Sequence, residues 1–557
     1  MFKKLKFTLL IILLYQTPIY SKSASFDKID SKNISKYFSG IVALENKENS
    51  LALDFFNESK ILINNHNTYL KKYISSLVLE KKVLKAINTI KQNSKSNNIN
   101  FYDAYLLLII DSVKKQDLNN AQAYLSYAIN HFENDKFNLA ILESLEEYIY
   151  VFKEQKFSKN KKNYGQLSII SETFQRCYLK DLKTNSSFLN LVNSNQGNMT
   201  RYTYFYLGYL INKDKIEEAK NITKDIEFIN TTLLLSQGKS WVENGDLEKF
   251  EKYFSCSNYN DIISEFLFII SNLYSSEDNF ERSYFYLNLS NYLNPKFIFN
   301  LSLVAENQFS NGEFKKAKKT LKNFKKEDDF FYWFRIKKEA QIIAKQRNKK
   351  ESLNYITAEF EKIDNPNQKV LFDVANFYRR SGEYENAIKF YTKILNNINE
   401  DTQIKSDLLY RRGSCYERMK EYKKADKDLI NSLDINPDDA YVLNYLAYSW
   451  LERNYKIDEA IKMLENAYTS ESDDPYIIDS IGWAYFLVDD YIKAEKFLKR
   501  AVELMPDDPI VNDHYGDILW KLDRQIQARY FWTNVLRMDD VEKELLEKIN
   551  IKIIKGL

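Results

Sequence analysis

Five alanines set the frame for this chain. Ala387, Ala425, Ala460, Ala494 and Ala528 stand 38, 35, 34 and 34 residues apart, by subtraction of their positions. A second series of small residues, Ala375, Gly413, Ala447, Gly482 and Gly516, keeps step with the first. Two registers in phase at a period near 34 describe a small unit repeated in space, one helix–turn–helix that cannot bury its own apolar face and must stack on its neighbours. The unit is clearest in Pro475–Pro509. Ile478, Ile481, Gly482 and Tyr485 form one stripe at helical spacing, and Ala494, Leu498 and Ala501 form the facing one. Asp473 and Asp474 before Pro475, and Asp507 and Asp508 before Pro509, supply N-cap oxygens with proline at the first helical position.

The same register reaches back through Ser283, Ala317 and Ser352, 34 and 35 residues apart. Only 12 Gly and 7 Pro punctuate 557 residues, too few for a protein of strands and tight turns. The expected fold is all-α, helix after helix. Further back the pattern loosens. Gly40, Ala43, Ala52, Phe56 and Ser59 carry a unit over Asn33–Ile63, and Ala121, Leu125 and Ala128 carry another over Phe101–Asn130. Between them Tyr69–Gln92 is helical by period, with Ala86 as its packing position. The Lys/Asn-rich run Lys156–Asn163 interrupts the series, and Asn193–Asn198 and Asn396–Gln403 read as loops. Tyr206–Ile226 and Leu233–Phe254 are degenerate units. The resulting division is a signal peptide at 1–23, N-terminal repeats at 24–155, degenerate repeats at 156–365, a regular array at 366–540 and a capping helix at 541–557.

These positions resemble the tetratricopeptide repeat (TPR) family over roughly Asn33 to Met538, in ten to thirteen repeats. The segments NYLAYSW, DSIGWAYF, AVELMPDDP and NDHYGDILWKL are similar to exported TPR proteins of α-proteobacteria. The resemblance implies an α-solenoid, a right-handed superhelix whose first helices line a concave groove for a peptide or protein partner. It implies no enzymatic activity.

In the last repeats the groove-lining positions of the first helices are Tyr441, Asn444, Tyr445 and Tyr448, then Tyr476, Asp479, Trp483 and Phe486, then Asp513, Asp517 and Trp520. Rings offer large contact area at low entropy cost, and the acid and amide groups between them bond an extended backbone. The opposing reading buries Trp483 and Tyr448 between repeats. Arg379, Arg380, Arg411, Arg412 and Arg418 cluster on two adjacent first helices and suit an acidic ligand, because Arg binds carboxylates bidentately. The bland alternative pairs them with neighbouring glutamates on a solvated face. A carbohydrate or lipid-linked cell-envelope intermediate is the alternative occupant of the groove, since aromatic rings stack on sugars as readily as on peptides.

Catalytic signals are thin. His66, His131 and His514 are far apart, and no Gly-rich phosphate loop, HExxH or CxxC occurs, so no cofactor and no metal site is expected. The 80 basic and 77 acidic residues leave a net charge of +3, which argues against a nucleic-acid binder. Cys177, Cys256 and Cys415 read as buried small hydrophobes rather than a disulfide framework. At the start, Lys3, Lys4 and Lys6 precede the apolar Phe7–Leu14, and Ser21 and Ser23 offer a cleavage site. That predicts export, to the periplasm, with no stable membrane span after cleavage; the alternative is retention as an N-terminal anchor.

Overall fold

The computed structural model describes residues 30–557 apart from 65, 95–98, 160–161, 194–198, 228, 230, 399–401 and 539–540. The signal segment 1–23 lies outside the described residues, as do parts of the loops at 156–163, 193–198 and 396–403. Every regular element is helical, and the described residues contain no strand. The chain divides into two compact units, Met1–Ile342 and Ile343–Leu557.

In the second unit the repeat is visible helix by helix. Gln368–Arg380 pairs with Tyr384–Leu395, Gln403–Arg418 with Tyr422–Ile435, Ala440–Glu452 with Ile457–Ser470, Pro475–Leu487 with Tyr491–Leu504, and Pro509–Lys521 with Gln525–Val535. Small residues set how closely each pair approaches. Ala387, Ala425, Ala460, Ala494 and Ala528 are all buried. A Cβ added at Gly482 would lie 2.8 Å from Leu498 Cγ, which is where the glycine and the leucine interlock. Capping follows the sequence. Asp474 accepts from the Tyr476 and Ile477 amides at 2.9 and 3.2 Å, and Asp508 does the same for Ile510 and Val511 at 2.9 and 3.1 Å. The turns inside the pairs pass through left-handed residues, Gly382, Lys420, Asn454 together with Lys456, Asp489 and Asp523. Most of these are not glycine, so the turn geometry is imposed by the packed helices against local preference.

The first unit is built from shorter and less regular pairs. Ser31–Glu45 packs on Asn49–Glu58, Asn67–Leu79 on Val83–Gln92, and Tyr102–Lys114 on Leu118–His131. The Lys136–Glu154 helix packs on Leu118–His131 and on Gln166–Tyr178. The degenerate region 156–365 opens with two helices, Gln166–Tyr178 and Thr184–Val192. Later, Tyr259–Ser276 pairs with Phe280–Leu293 so tightly that serines bond across it, Ser264 to Ser290 at 2.9 Å and Ser271 to Ser283 at 2.8 Å. The early pairs then pack back on this one, with Phe280–Leu293 touching Asn67–Leu79, Val83–Gln92 and Tyr102–Lys114. Arg282 donates to Asp103 at 2.8 Å, the Tyr102 and Tyr286 hydroxyls meet at 3.1 Å, and the Asn288 amide donates to the Val78 carbonyl at 2.9 Å.

One expectation needs correction. Cys177 and Cys256 are not separate buried thiols. They form a disulfide with 5.7 Å between Cα atoms, and only Cys415 is free. Their separation of 79 residues hid the pairing, because the helix bearing Cys177 and the loop bearing Cys256 meet only in the fold. In the Lys-rich run at 337–350 one lysine is drawn inside. Lys338 is buried, its ammonium 2.6 Å from Glu306 and 4.5 Å from the centre of the Phe309 ring.

Candidate interaction surface

The first helices of the last three pairs, Ala440–Glu452, Pro475–Leu487 and Pro509–Lys521, bring the aromatic and acidic positions together. Their opposite sides are fixed by packing: Ala447, Gly482 and Gly516 face the second helices, and a Cβ on Gly516 would overlap the Trp532 indole at 2.4 Å. With that side committed, helical geometry sends the other row away from the second helices.

At the entrance of the row Tyr441 and Tyr476 are 54% and 59% exposed, the most open rings of the set. Deeper in, the rings form a ladder. Trp483 stacks on Phe486 at 4.8 Å and on His514 at 4.1 Å, each within 10° of parallel, and Tyr448 lies 6.4 Å from the His514 ring. Trp483 donates its indole N–H to Glu452 at 3.1 Å, and Tyr445 donates its hydroxyl to Glu417 at 3.0 Å while meeting Tyr410 edge-on. Tyr448 and Trp483 are half-buried, between the two readings of the sequence. Asn444 carries a buried side-chain oxygen with no hydrogen-bond partner.

The carboxylates are more deeply placed than the rings. Asp479, Asp513 and Asp517 are all buried. His514 Nδ1 lies 2.8 Å from Asp479 Oδ2, so its partner stands 35 residues away in the preceding repeat and is not the adjacent Asp513. Burial pushes the His514 pKa down, but Asp479, Asp513 and Asp517 together raise it above its ordinary value. Burial and the nearby Asp513 push Asp517 up, against the opposing pull of Lys552. Asp479 Oδ1 has no partner.

Lys552 is the residue that sequence reasoning missed. It belongs to the Lys543–Lys555 helix and sets its ammonium 2.6 Å from Asp513 and 2.7 Å from Asp517. Trp532 adds an indole N–H to Asp517 at 3.0 Å. Beyond Lys552, Gly556 lies flat on Trp520, where any Cβ would overlap the indole at 2.0 Å. At its other end Glu542 lies within electrostatic reach of Arg418 on the Gln403–Arg418 helix. The Lys543–Lys555 helix therefore packs against Gln525–Val535 and meets the first-helix row at Pro509–Lys521, with its own Ile549 fully buried. Leu545, Ile549 and Ile553 at steps of four, with Lys552 beside them, were the signal in the sequence for such a docking helix.

The arginines are disposed differently. Arg411 binds Asp407 at 2.9 Å, Asn376 at 3.2 Å and the Phe372 ring at 5.1 Å. Arg412 clasps Asp428 with two bonds of 2.7 and 2.9 Å and reaches Thr392 at 3.0 Å. Arg380 and Arg418 are exposed, whereas Arg379 Nε is buried without a partner. Two of the five are thus committed to internal carboxylates. Among the described residues no group of three or more His, Cys, Asp or Glu side chains is placed to hold a metal ion, and no helix is long and apolar enough to cross a membrane.

Comparison with known proteins places this repeat in a family. Tetratricopeptide repeat family models match residues 370–405 and 406–439. A TPR repeat-containing protein of Pseudomonas aeruginosa is 32% identical over 100 residues, 18% of this chain and 17% of that protein. The unc-45 homolog B protein of Xenopus laevis is 32% identical over 101 residues, 18% of this chain and 11% of its own length. The chain thus spans less than a fifth of either curated relative. Among solved structures, a tetratricopeptide repeat protein from Parabacteroides merdae aligns over 46% of this chain and 99% of its own, at 18% identity and a TM-score of 0.39. PilF of Pseudomonas aeruginosa aligns over 34% of this chain and 85% of its own, at 18% identity and a TM-score of 0.28. The chain carries tetratricopeptide repeats, matched directly over residues 370–439.

Proposed function

We propose that this chain is a non-enzymatic, exported scaffold that holds a protein partner on the first-helix row of residues 441–520. One observation carries the reading: the row already receives a lysine-bearing amphipathic helix, Lys543–Lys555, with Lys552 between Asp513 and Asp517 and Gly556 on Trp520. A partner segment of the same chemistry, apolar on one face with a cation beside it, meets the same rings and carboxylates. Tyr441 and Tyr476 at the entrance give it open aromatic surface to land on. The last helix then acts as an internal competitor that a partner displaces. Export is supported by the Cys177–Cys256 disulfide, because such bonds persist in oxidising compartments, and by the charged, apolar and small-residue segments at 1–23.

The test is crosslinking in the native cell envelope with identification by mass spectrometry, comparing the natural chain with a Tyr448→Ala, Trp483→Ala, Trp520→Ala variant. Specific crosslinks should disappear in the variant while its helical circular dichroism is retained. Crosslinks that persist unchanged in the folded variant remove the row as the binding surface.

A further inference from the structure

The first unit contains a surface of the opposite charge. The ends of several elements, at Lys60–Ile63, at the start of Val83–Gln92 and at the ends of Tyr102–Lys114 and Phe280–Leu293, surround an open cleft of about 810 Å³. Lys60, Lys81, Lys82, Lys85 and Lys114 line it, and its lining contains no Asp or Glu. Lys60, Lys81, Lys82 and Lys85 join no ion pair among the described residues, although ion pairs are common elsewhere on this surface. A chain with 80 basic and 77 acidic residues has carboxylates enough to line such a cluster, so five lysines around one concavity whose lining holds none form a local positive field. Burial, and then the neighbouring Lys319, hold Lys81 below the usual lysine value, and burial does the same for Lys114.

The backbone adds to that field. Val83, Leu84 and Lys85, the first turn of the ten-residue Val83–Gln92 helix, line the cleft, and this helix has no side-chain cap. Its unclaimed N–H groups and positive dipole end favour an anion. Lys114 is held in place over the Tyr292 ring, 3.8 Å from its centre.

The neutral part of the lining narrows the ligand. It is rich in amide and hydroxyl groups, Asn88, Thr89 and Gln92 on one side and Asn288 and Asn291 on the other. Amides both donate and accept, as sugar hydroxyls do, whereas carboxylates only accept. The volume falls in the range of small-molecule sites, roughly 300–1,000 Å³, rather than that of an extended macromolecular track. We propose that this cleft binds a phosphorylated sugar, with its phosphate among Lys81, Lys82, Lys85 and the first turn of Val83–Gln92 and its hydroxyls on Asn88, Asn288 and Asn291. The site is separate from the first-helix row of residues 441–520 and does not depend on that reading.

Isothermal titration of the full chain with glucose 1-phosphate tests the proposal, with inorganic phosphate, glucose and a triglutamate peptide titrated alongside. Saturable binding is expected for glucose 1-phosphate, weakening as salt rises, and stronger than for the other three probes. A Lys81→Gln, Lys85→Gln variant should weaken it by about tenfold or more, since each charge-assisted bond is worth at least that factor. Both lysines are largely exposed and join no ion pair, so the thermal melt of the variant should stay close to that of the natural chain. Asn88→Ala should weaken glucose 1-phosphate and leave any inorganic phosphate binding unchanged. Absence of saturable binding overturns the proposal. So does binding that the lysine variant leaves intact, and so does inorganic phosphate or triglutamate bound as tightly as the sugar phosphate.

Discussion

The two units stack the same kind of helix pair and end with opposite connectivity. In the first, bonds join positions far apart in the chain: Lys47 to Asn311 across 264 residues, Val78 to Asn288 across 210, Tyr102 to Tyr286 across 184, and Asp103 to Arg282 across 179. In the second, the hydrogen bonds described above join positions no more than 39 apart, the distance from Asp513 to Lys552. The first unit closes on itself and consumes its inward polar groups as cross-links. The second remains a series of neighbours whose first-helix row is met at Pro509–Lys521 by one late helix. A closed stack gains cooperativity and leaves its binding chemistry in clefts at element ends. An open stack keeps a long surface, which suits a partner segment.

Breaking the closure should have the largest effect. Arg282→Ala leaves the buried Asp103 without its cation, and a cost of about 3–5 kcal/mol is expected. Hydrogen exchange should then lose protection in both Tyr102–Lys114 and Phe280–Leu293; loss confined to the mutated helix would contradict the closed description. In the second unit Trp532→Ala removes a fully buried ring for a similar cost, about 3–5 kcal/mol, but protection should fall near residues 509–555 and be kept in Gln368–Leu395. Next comes the disulfide. Cys177→Ser should cost about 2–4 kcal/mol in oxidising buffer and nothing once the natural chain is reduced, as read from paired denaturant titrations.

A pH effect separates the units further. The His514 pKa is raised in the folded chain above its ordinary 6.5, so its stabilisation is complete below that pH and is lost as pH rises through the higher folded value. The second unit should therefore lose stability above about pH 6.5, and His514→Gln should flatten that slope in thermal melts taken across the range. The smallest effect is a gain. Lys420 holds a left-handed turn at φ 62°, so Lys420→Gly should stabilise the second unit by up to about 1 kcal/mol.

The second unit was legible because its determinants are local. The alanine and glycine series, the Asp-Pro caps and the stripes of Pro475–Pro509 each act within one helix pair, and period and capping rules read them directly. The first unit hid more. Its helices were partly visible, but its closure rests on Asp103, Tyr102, Arg282 and Asn288, polar residues whose partners lie some 180–210 positions away, and no periodicity encodes such a pairing. The disulfide was missed for the same reason. The row of rings was located from helical phase, whereas the pairing of His514 with Asp479 and the arrival of Lys552 needed the relative placement of successive repeats. The basic cleft gave no linear signal, because its lysines come from three separate segments.

The most direct test of the scaffold reading places a photo-crosslinking residue at Tyr476, on the open entrance of the row, in the native envelope. Adducts are compared between the natural chain and Lys552→Ala. Releasing the last helix from Asp513 and Asp517 should raise the yield of a specific protein adduct, and adding Trp483→Ala should abolish it. A yield that ignores both substitutions would mean that the row and its docked helix do not receive the partner.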